Sequence, residues 1–236
     1  MSIATQIRDA LARRQRRRFL RTVDSIADIK SRHSDFDELR RQVCGAGTDS
    51  QSHFGRDYTY EGGLYLQQNP DEFTSLCLFL RERHPLEHYL EIGSASGGAC
   101  YFLQQQLGFK QVISLDDGNH RRAAAQDGHF SRIANCHRFL GDSHSEAARS
   151  FLRVNMAEKL DVAFIDGDHS YEGVTQDIEL TLPYCRSGTL VILHDTVACE
   201  GVQRAWKELV GGGRAVAAAE YIGEDAPMGT GIARVL

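Results

Sequence analysis

Two short runs concentrate the side chains that could move protons or bind cations. Ile165-Asp166-Gly167-Asp168-His169-Ser170-Tyr171 sets two carboxylates and an imidazole within four positions, and His194-Asp195 follows the apolar run Leu190–Leu193. An imidazole that is neutral near pH 7 can act as a general base. Carboxylate oxygens suit Mg²⁺, and a histidine in the set shifts preference toward Mn²⁺, Fe²⁺ or Zn²⁺. Each residue also has a plainer reading. Asp168 can form a turn or orient His169, and His194 can be a core histidine satisfied by backbone. Successive strand residues face opposite ways, so His194 and Asp195 share one ion only if the strand ends between them.

A third run, Tyr89-Leu-Glu91-Ile-Gly93-Ser94-Ala95-Ser96-Gly97-Gly98, reads as a strand entering a glycine-rich turn that opens a helix. Such a turn lets a ligand approach the backbone closely. A dinucleotide motif needs a second glycine where Ala95 stands, and its pyrophosphate would repel Glu91. S-adenosylmethionine (SAM), which carries an ammonium and a sulfonium, tolerates an acid there. Glu91-Ile-Gly-Ser-Ala-Ser-Gly-Gly98 resembles the first motif of class I SAM-dependent methyltransferases. Phe164-Ile-Asp-Gly-Asp-His-Ser-Tyr-Glu-Gly-Val174 and Leu190-Val-Ile-Leu-His-Asp-Thr196 resemble the small-molecule O-methyltransferase branch, which includes macrocin-type enzymes and cephalosporin-hydroxylase-like proteins. The resemblance spans about residues 60–236.

That resemblance implies an α/β, Rossmann-like, seven-stranded, mostly parallel sheet with helices on both faces and an antiparallel last strand. It implies a methyl transfer from SAM to a hydroxyl of a small molecule such as a sugar, phenol or natural product. Glu91, Gly93, Ser94 and Gly97 would line the methionine end, where a side chain on Gly93 would take the ligand's space. Asp116, rather than the adjacent Asp117, would accept the ribose hydroxyls, and Gly141-Asp142-Ser143 would meet adenine. His169 would be the base beside Asp166. Asp166, His194 and Asp195 would hold Mg²⁺ or Mn²⁺ where the related enzymes have acids at both positions of the second pair; the competing picture has no ion, with Asp166 holding the His169 ring. Tyr58, Tyr60, Tyr65, Gln67 and Gln68 fall where that family places a lid, with no roles assigned.

The elements expected to position these groups alternate. Helices are predicted near 71–83, 99–107, 121–133 and 146–156, over the stretch carrying Val174, Ile178 and Leu182, and over that carrying Val202, Trp206 and Leu209. Strands are predicted at 89–92, 112–115, 138–140, 162–165, 190–193, 215–222 and 231–236. Ligands of such a sheet sit beyond the strands' carboxyl ends. The chain divides into a basic amphipathic helical extension (1–45), a lid or linker (46–70) and the SAM-binding domain (71–236).

The net charge of −5 is unevenly spread: residues 1–43 carry 11 Lys and Arg against 6 Asp and Glu. The acidic remainder argues against a nucleic-acid substrate. The helical stripe Ile3, Ile7, Leu11, Phe19, Val23, Ile26, Phe36, Leu39, Val43 would pack on the main domain or build a homo-oligomer such as a dimer; acidic lipid or RNA is the alternative for its basic face. No apolar run reaches membrane length, no secretory leader is recognisable and the six cysteines form no C-x-x-C pair, which points to a cytoplasmic protein. The rival readings are an NAD(P)-dependent oxidoreductase, disfavoured by Ala95, and a non-catalytic SAM-binding protein.

Overall fold

The computed structural model describes residues 23–47 and 63–236. Seven strands form one sheet in the order β3-β2-β1-β4-β5-β7-β6. They are β1 (His88–Ile92), β2 (Gln111–Asp116), β3 (Cys136–Leu140), β4 (Val162–Ile165), β5 (Leu190–His194), β6 (Ala215–Tyr221) and β7 (Thr230–Val235). All neighbours are parallel except that β7 runs antiparallel to both β5 and β6. β1, β4 and β5 are almost wholly buried along their length. Strands covered on both faces read as continuous apolar runs, which is why these three were the plainest in the sequence.

Alternate residues feed two cores. Tyr89, Val112, Val162, Phe164 and Ile192 face α3 (Pro70–Arg81) and α4 (Gly98–Leu107). On the other side, Leu90, Ile113 and Ala163 meet α6 (Glu146–Asn155). Ile165, Val191 and Leu193 meet α7 (Tyr171–Thr181) and α8 (Glu200–Gly211).

Two predicted helices come out differently. The stretch 121–133 holds only a 3-10 turn at Ala123–Ala125 and the single-turn α5, Gln126–Phe130. Gly128 sits in its middle, where the absent side chain gives the helix nothing to pack and raises its conformational cost. Within 3–43, the described part forms α1 (Ile26–Arg32) and α2 (Phe36–Gly45), broken at His33–Asp35; residues 3–22 lie outside the described residues. Ser25 opens α1 with a capping box to Asp28. Ile29, Phe36, Leu39 and Val43 are buried in the core over α3, and Asp24 bridges to Ala219 of β6. The described stretch of the apolar stripe is thus covered by the chain itself.

α3 also anchors the β6–β7 connection. Glu72, fully buried, accepts from the backbone N–H of Gly223, Met228 and Gly229 at 2.8, 3.2 and 2.9 Å. Asn69, which caps α3, donates its side-chain amide to Asp225 O. Glu72→Ala would strand three buried amides at a cost of roughly 1 kcal/mol or more each, so chemical denaturation should show a loss of about 3 kcal/mol. A loss under about 1 kcal/mol would mean that the loop finds other partners.

Candidate active site

The carboxyl ends of β1, β2, β4 and β5 bring the chemistry-bearing residues together. After β1 the chain turns through Gly93 (φ +84°), Ala95 (φ +49°) and Gly97 (φ +73°) before α4 begins. A left-handed alanine is strained, and three hydrogen bonds hold it here. Ala95 N donates to Asp116 Oδ2 at 2.8 Å, Ala95 O accepts from Gln126 Nε2 at 2.7 Å, and Gln126 Nε2 also reaches Asp116 Oδ1 at 2.8 Å. Asp116 accepts in addition from Gly118 N. It is therefore the buried acid that ties the glycine loop to β2, while exposed Asp117 is spent on a turn with Asn119.

The two loop glycines are constrained by the chain's own packing, a requirement on Gly93 that stands beside the ligand-based one expected from the sequence. A Cβ on Gly93 would stand 2.1 Å from the Asp166 carbonyl oxygen, and one on Gly97 would stand 2.7 Å from the Phe130 ring. Ser94 Oγ pairs with Ser114 Oγ at 2.7 Å. Glu91 is buried and accepts from Tyr89 Oη at 3.0 Å. Its Oε2 has no hydrogen-bond partner. Burial pushes its carboxyl up to about 7 against the pull of Ser94 and Tyr89. An unsatisfied buried acceptor beside a left-handed glycine turn fits an ammonium-bearing ligand such as SAM.

Asp166 follows β4 directly. Its Oδ1 lies 3.1 Å from His194 Nδ1 and 3.3 Å from His169 Nε2, and its Oδ2 accepts from Gln68 Nε2 at 3.2 Å. Asp195 Oδ2 lies 3.2 Å from His169 Nε2 and 3.5 Å from His194 Nδ1. β5 ends at His194, and Asp195 turns left-handed at φ +63°. The change of backbone hand lets consecutive residues face the same partner, which an extended strand forbids. Ligand atoms of Asp166, His194 and Asp195 lie within 4.8 Å of one another. Asp195 Oδ1 is buried without a partner. An unsatisfied carboxylate oxygen in an oxygen–nitrogen set fits a divalent cation.

Electrostatics in this cluster run against burial. Burial would raise the Asp166 carboxyl, yet the His194 charge and the His169 and His194 hydrogen bonds hold it well below the usual range. Burial would lower His194, yet Asp166 and Asp195 push it well above. His169 is raised mainly by its hydrogen bond to Asp166. The facing carboxylates thus shift His169 toward its protonated form and away from the neutral imidazole expected from the sequence.

Gly141, Asp142 and Ser143 stand apart at the end of edge strand β3. Asp142 is exposed, with Oδ1 accepting from His144 N at 2.8 Å. Ser143 Oγ donates to buried Asp177 at 2.8 Å. Asp168 shapes the turn by accepting from Ser170 N at 2.8 Å. Tyr171 is held away by Glu208 and Arg204 of α8. Gln68 belongs to a strap, 63–69, laid over the glycine loop: Ser96 Oγ donates to Leu64 O and Tyr65 O at 2.8 and 3.0 Å, and the Arg122 guanidinium lies over the Tyr65 ring. Tyr58 and Tyr60 lie outside the described residues. Sequence reasoning missed Cys199, Asp177 and Gln126, which come near the site through tertiary contacts. Only Cys199 left a trace, at four residues past Asp195.

Residues 90–196 match the family model of a methyltransferase domain. An uncharacterized protein of Acanthamoeba polyphaga mimivirus is 27% identical over 115 residues, 45% of this chain and 50% of that protein. The chain thus spans about half the length of this curated relative. The O-methyltransferase of Bacillus cereus, solved with S-adenosylhomocysteine (SAH), superposes with a TM-score of 0.56 at 18% identity, covering 86% of this chain and 91% of that one. The O-methyltransferase TomG of Streptomyces achromogenes, involved in tomaymycin synthesis and solved with SAM, gives 0.59 at 16% identity over 86% and 90%. The N-methyltransferase NodS of Bradyrhizobium japonicum, solved with SAH, gives 0.53 at 15% identity over 79% and 97%. At such identities the structural likeness is one of fold. The segment that matches the methyltransferase-domain model includes the glycine loop, Asp116, the Asp166–His169 turn and His194-Asp195, and the chain shares the fold of these SAM- and SAH-bound methyltransferases.

Proposed function

We propose that the protein transfers the methyl group of SAM to a hydroxyl of a small molecule, with His169 as base. The observation that carries this reading is the Asp166–His169–His194–Asp195 cluster at the ends of β4 and β5. It abuts the glycine loop, since Gly93 packs on the Asp166 backbone. The Bacillus cereus and Streptomyces achromogenes proteins of the same fold are O-methyltransferases, in agreement with an oxygen acceptor.

In this reading Glu91 faces the ammonium of SAM, Asp116 accepts the ribose hydroxyls and the 141–143 turn borders adenine. His169 in its free-base form takes the acceptor's proton. The acceptor oxygen then bonds to the methyl carbon as the carbon–sulfur bond breaks, so that the electron pair of that bond stays on sulfur and SAH leaves. Asp166 holds the imidazole and balances the charge it gains. Mg²⁺ or Mn²⁺ held by Asp166, His194 and Asp195 would supply positive charge that lowers the hydroxyl's pKa. The lack of a helix long and apolar enough to cross a membrane among the described residues is compatible with a cytoplasmic enzyme acting on a dissolved substrate. The apolar stripe beyond residue 23 is used internally, so a dimer would rest on other surfaces.

Labelled SAM incubated with a panel of hydroxylated compounds tests the reading. With an acceptor in hand, His169→Ala should lose roughly 10²- to 10⁴-fold in turnover while SAH affinity changes less than about twofold. EDTA should suppress wild-type turnover, with Mg²⁺ or Mn²⁺ restoring it. Full turnover in chelator would remove the cation from the account, and full turnover by His169→Ala would remove the base.

Glu91 gives a pH signature. Its carboxyl ionises near 7 in the folded chain, and an ammonium ligand needs the carboxylate, so SAH affinity should rise several-fold between about pH 6 and pH 8 and flatten in Glu91→Gln. The stability sign is opposite. A carboxyl raised on folding costs stability above its folded pKa and nothing well below its unfolded one. Glu91→Gln should therefore stabilise the ligand-free protein at pH 8, by up to about 3 kcal/mol, and much less at pH 5. Titration calorimetry showing one pH profile for both proteins would remove Glu91 from the ligand site.

A further inference from the structure

His169 and Asp195 also belong to a second group of donors. The thiol of Cys199 joins them, and the three ligand atoms lie within 4.8 Å of one another. They come from the β4–α7 turn, the end of β5 and the start of α8, and the fold clamps these pieces together. Cys199 N donates to Asp195 O at 3.0 Å, which folds the thiol-bearing residue back over Asp195. A Cβ on Gly201 would stand 2.5 Å from His169 O and from Tyr171 N, so the first turn of α8 presses directly on the His169 backbone. Cys199 caps α8 without a side-chain capping hydrogen bond, leaving its sulfur uncommitted to the helix. Asp195 is 6% exposed, and its Oδ1 has no partner.

We propose that His169, Asp195 and Cys199 form a site for a thiophilic divalent cation such as Zn²⁺, overlapping the acceptor site at Asp195. Zinc bonds of about 2.0–2.3 Å place donors roughly 3.2–3.8 Å apart, so each side chain needs to move by less than about 1 Å. The thiolate selects Zn²⁺ and Co²⁺ over Mg²⁺, which prefers oxygen. The His169 side chain, 43% exposed, leaves the ion a route from solvent. Zinc held there engages the imidazole assigned as base and so stops methyl transfer. This inhibitory consequence rests on the methyl-transfer reading of the site, whereas the binding itself does not.

The full-length chain, stripped of metal and kept reduced, is titrated with Co²⁺ and followed by absorption. The expected result is a near-ultraviolet thiolate-to-cobalt charge-transfer band that saturates at one equivalent and is erased by Zn²⁺. Cys199→Ser should lose the band and bind Zn²⁺ at least tenfold more weakly, and His169→Ala should weaken it likewise. Cys44→Ser, far along the chain, should keep the band, and circular dichroism and melting confirm that each variant is folded. A band that persists in Cys199→Ser, or no band in the wild type, overturns the site. Where turnover is measurable, Zn²⁺ at the concentration that erases the cobalt band should halt it, and undiminished turnover overturns the participation of His169. A chain that transfers no methyl group under any metal would sink the proposed function and leave the cobalt result standing.

Discussion

The pairing of Asp166 with two histidines is the interaction on which the site depends. A carboxylate at the end of a buried strand should resist ionisation, and a histidine as buried as His194 should resist protonation. Each group offsets the other's penalty: His194 and His169 hold the Asp166 carboxyl low, and the facing carboxylates hold both imidazoles high. Breaking such a set leaves a buried charge alone, typically a cost of about 3–5 kcal/mol. The arrangement is therefore held as a unit, with the carboxylates and imidazoles each supporting the other's charged form.

Much of the remaining architecture serves to keep that unit in place. Parallel strands end side by side, so β4 delivers Asp166 next to the His194 that ends β5. Asp195 then accepts a left-handed conformation, a strain of order 1 kcal/mol that aspartate bears better than most residues. The loop behind Asp195 is fastened from the far side. Thr196 N and Val197 N donate to Gly229 O and Met228 O, and Glu72 on α3 holds the amides of the same two residues. Gln68 reaches Asp166 from a strap containing two further left-handed residues, Tyr65 and Gln67. The strap thus braces Asp166, while α3 and the β6–β7 connection brace the loop that carries Asp195.

What was legible in the sequence follows from which forces are local. The buried strands announced themselves as apolar runs, and their carboxyl ends marked where Asp116, Asp166 and Asp195 would lie. Asp116 was singled out from Asp117 as the first residue past the apolar run, and of the two it is Asp116 that is buried. The glycines were legible as turn formers but not in their partners, since the Asp166 carbonyl opposite Gly93 and the Phe130 ring opposite Gly97 are tertiary neighbours. Glu72, Asp177 and Gln126 left no trace, because a buried acid or amide on an amphipathic helix resembles a solvated one until its partner is known. The break at His33–Asp35 escaped for the opposite reason: apolar spacing continued across it.

The central claim is that SAM lies on the β1 loop with its methyl group directed at the Asp166–His169 cluster. A crystal structure of the chain soaked with SAH tests it without any knowledge of the acceptor. The account predicts the ligand ammonium beside Glu91, the ribose hydroxyls on Asp116 and the sulfur facing the space between Asp166 and His169. SAH bound elsewhere, or bound with its sulfur turned away from that cluster and its ribose on Asp117, would contradict it.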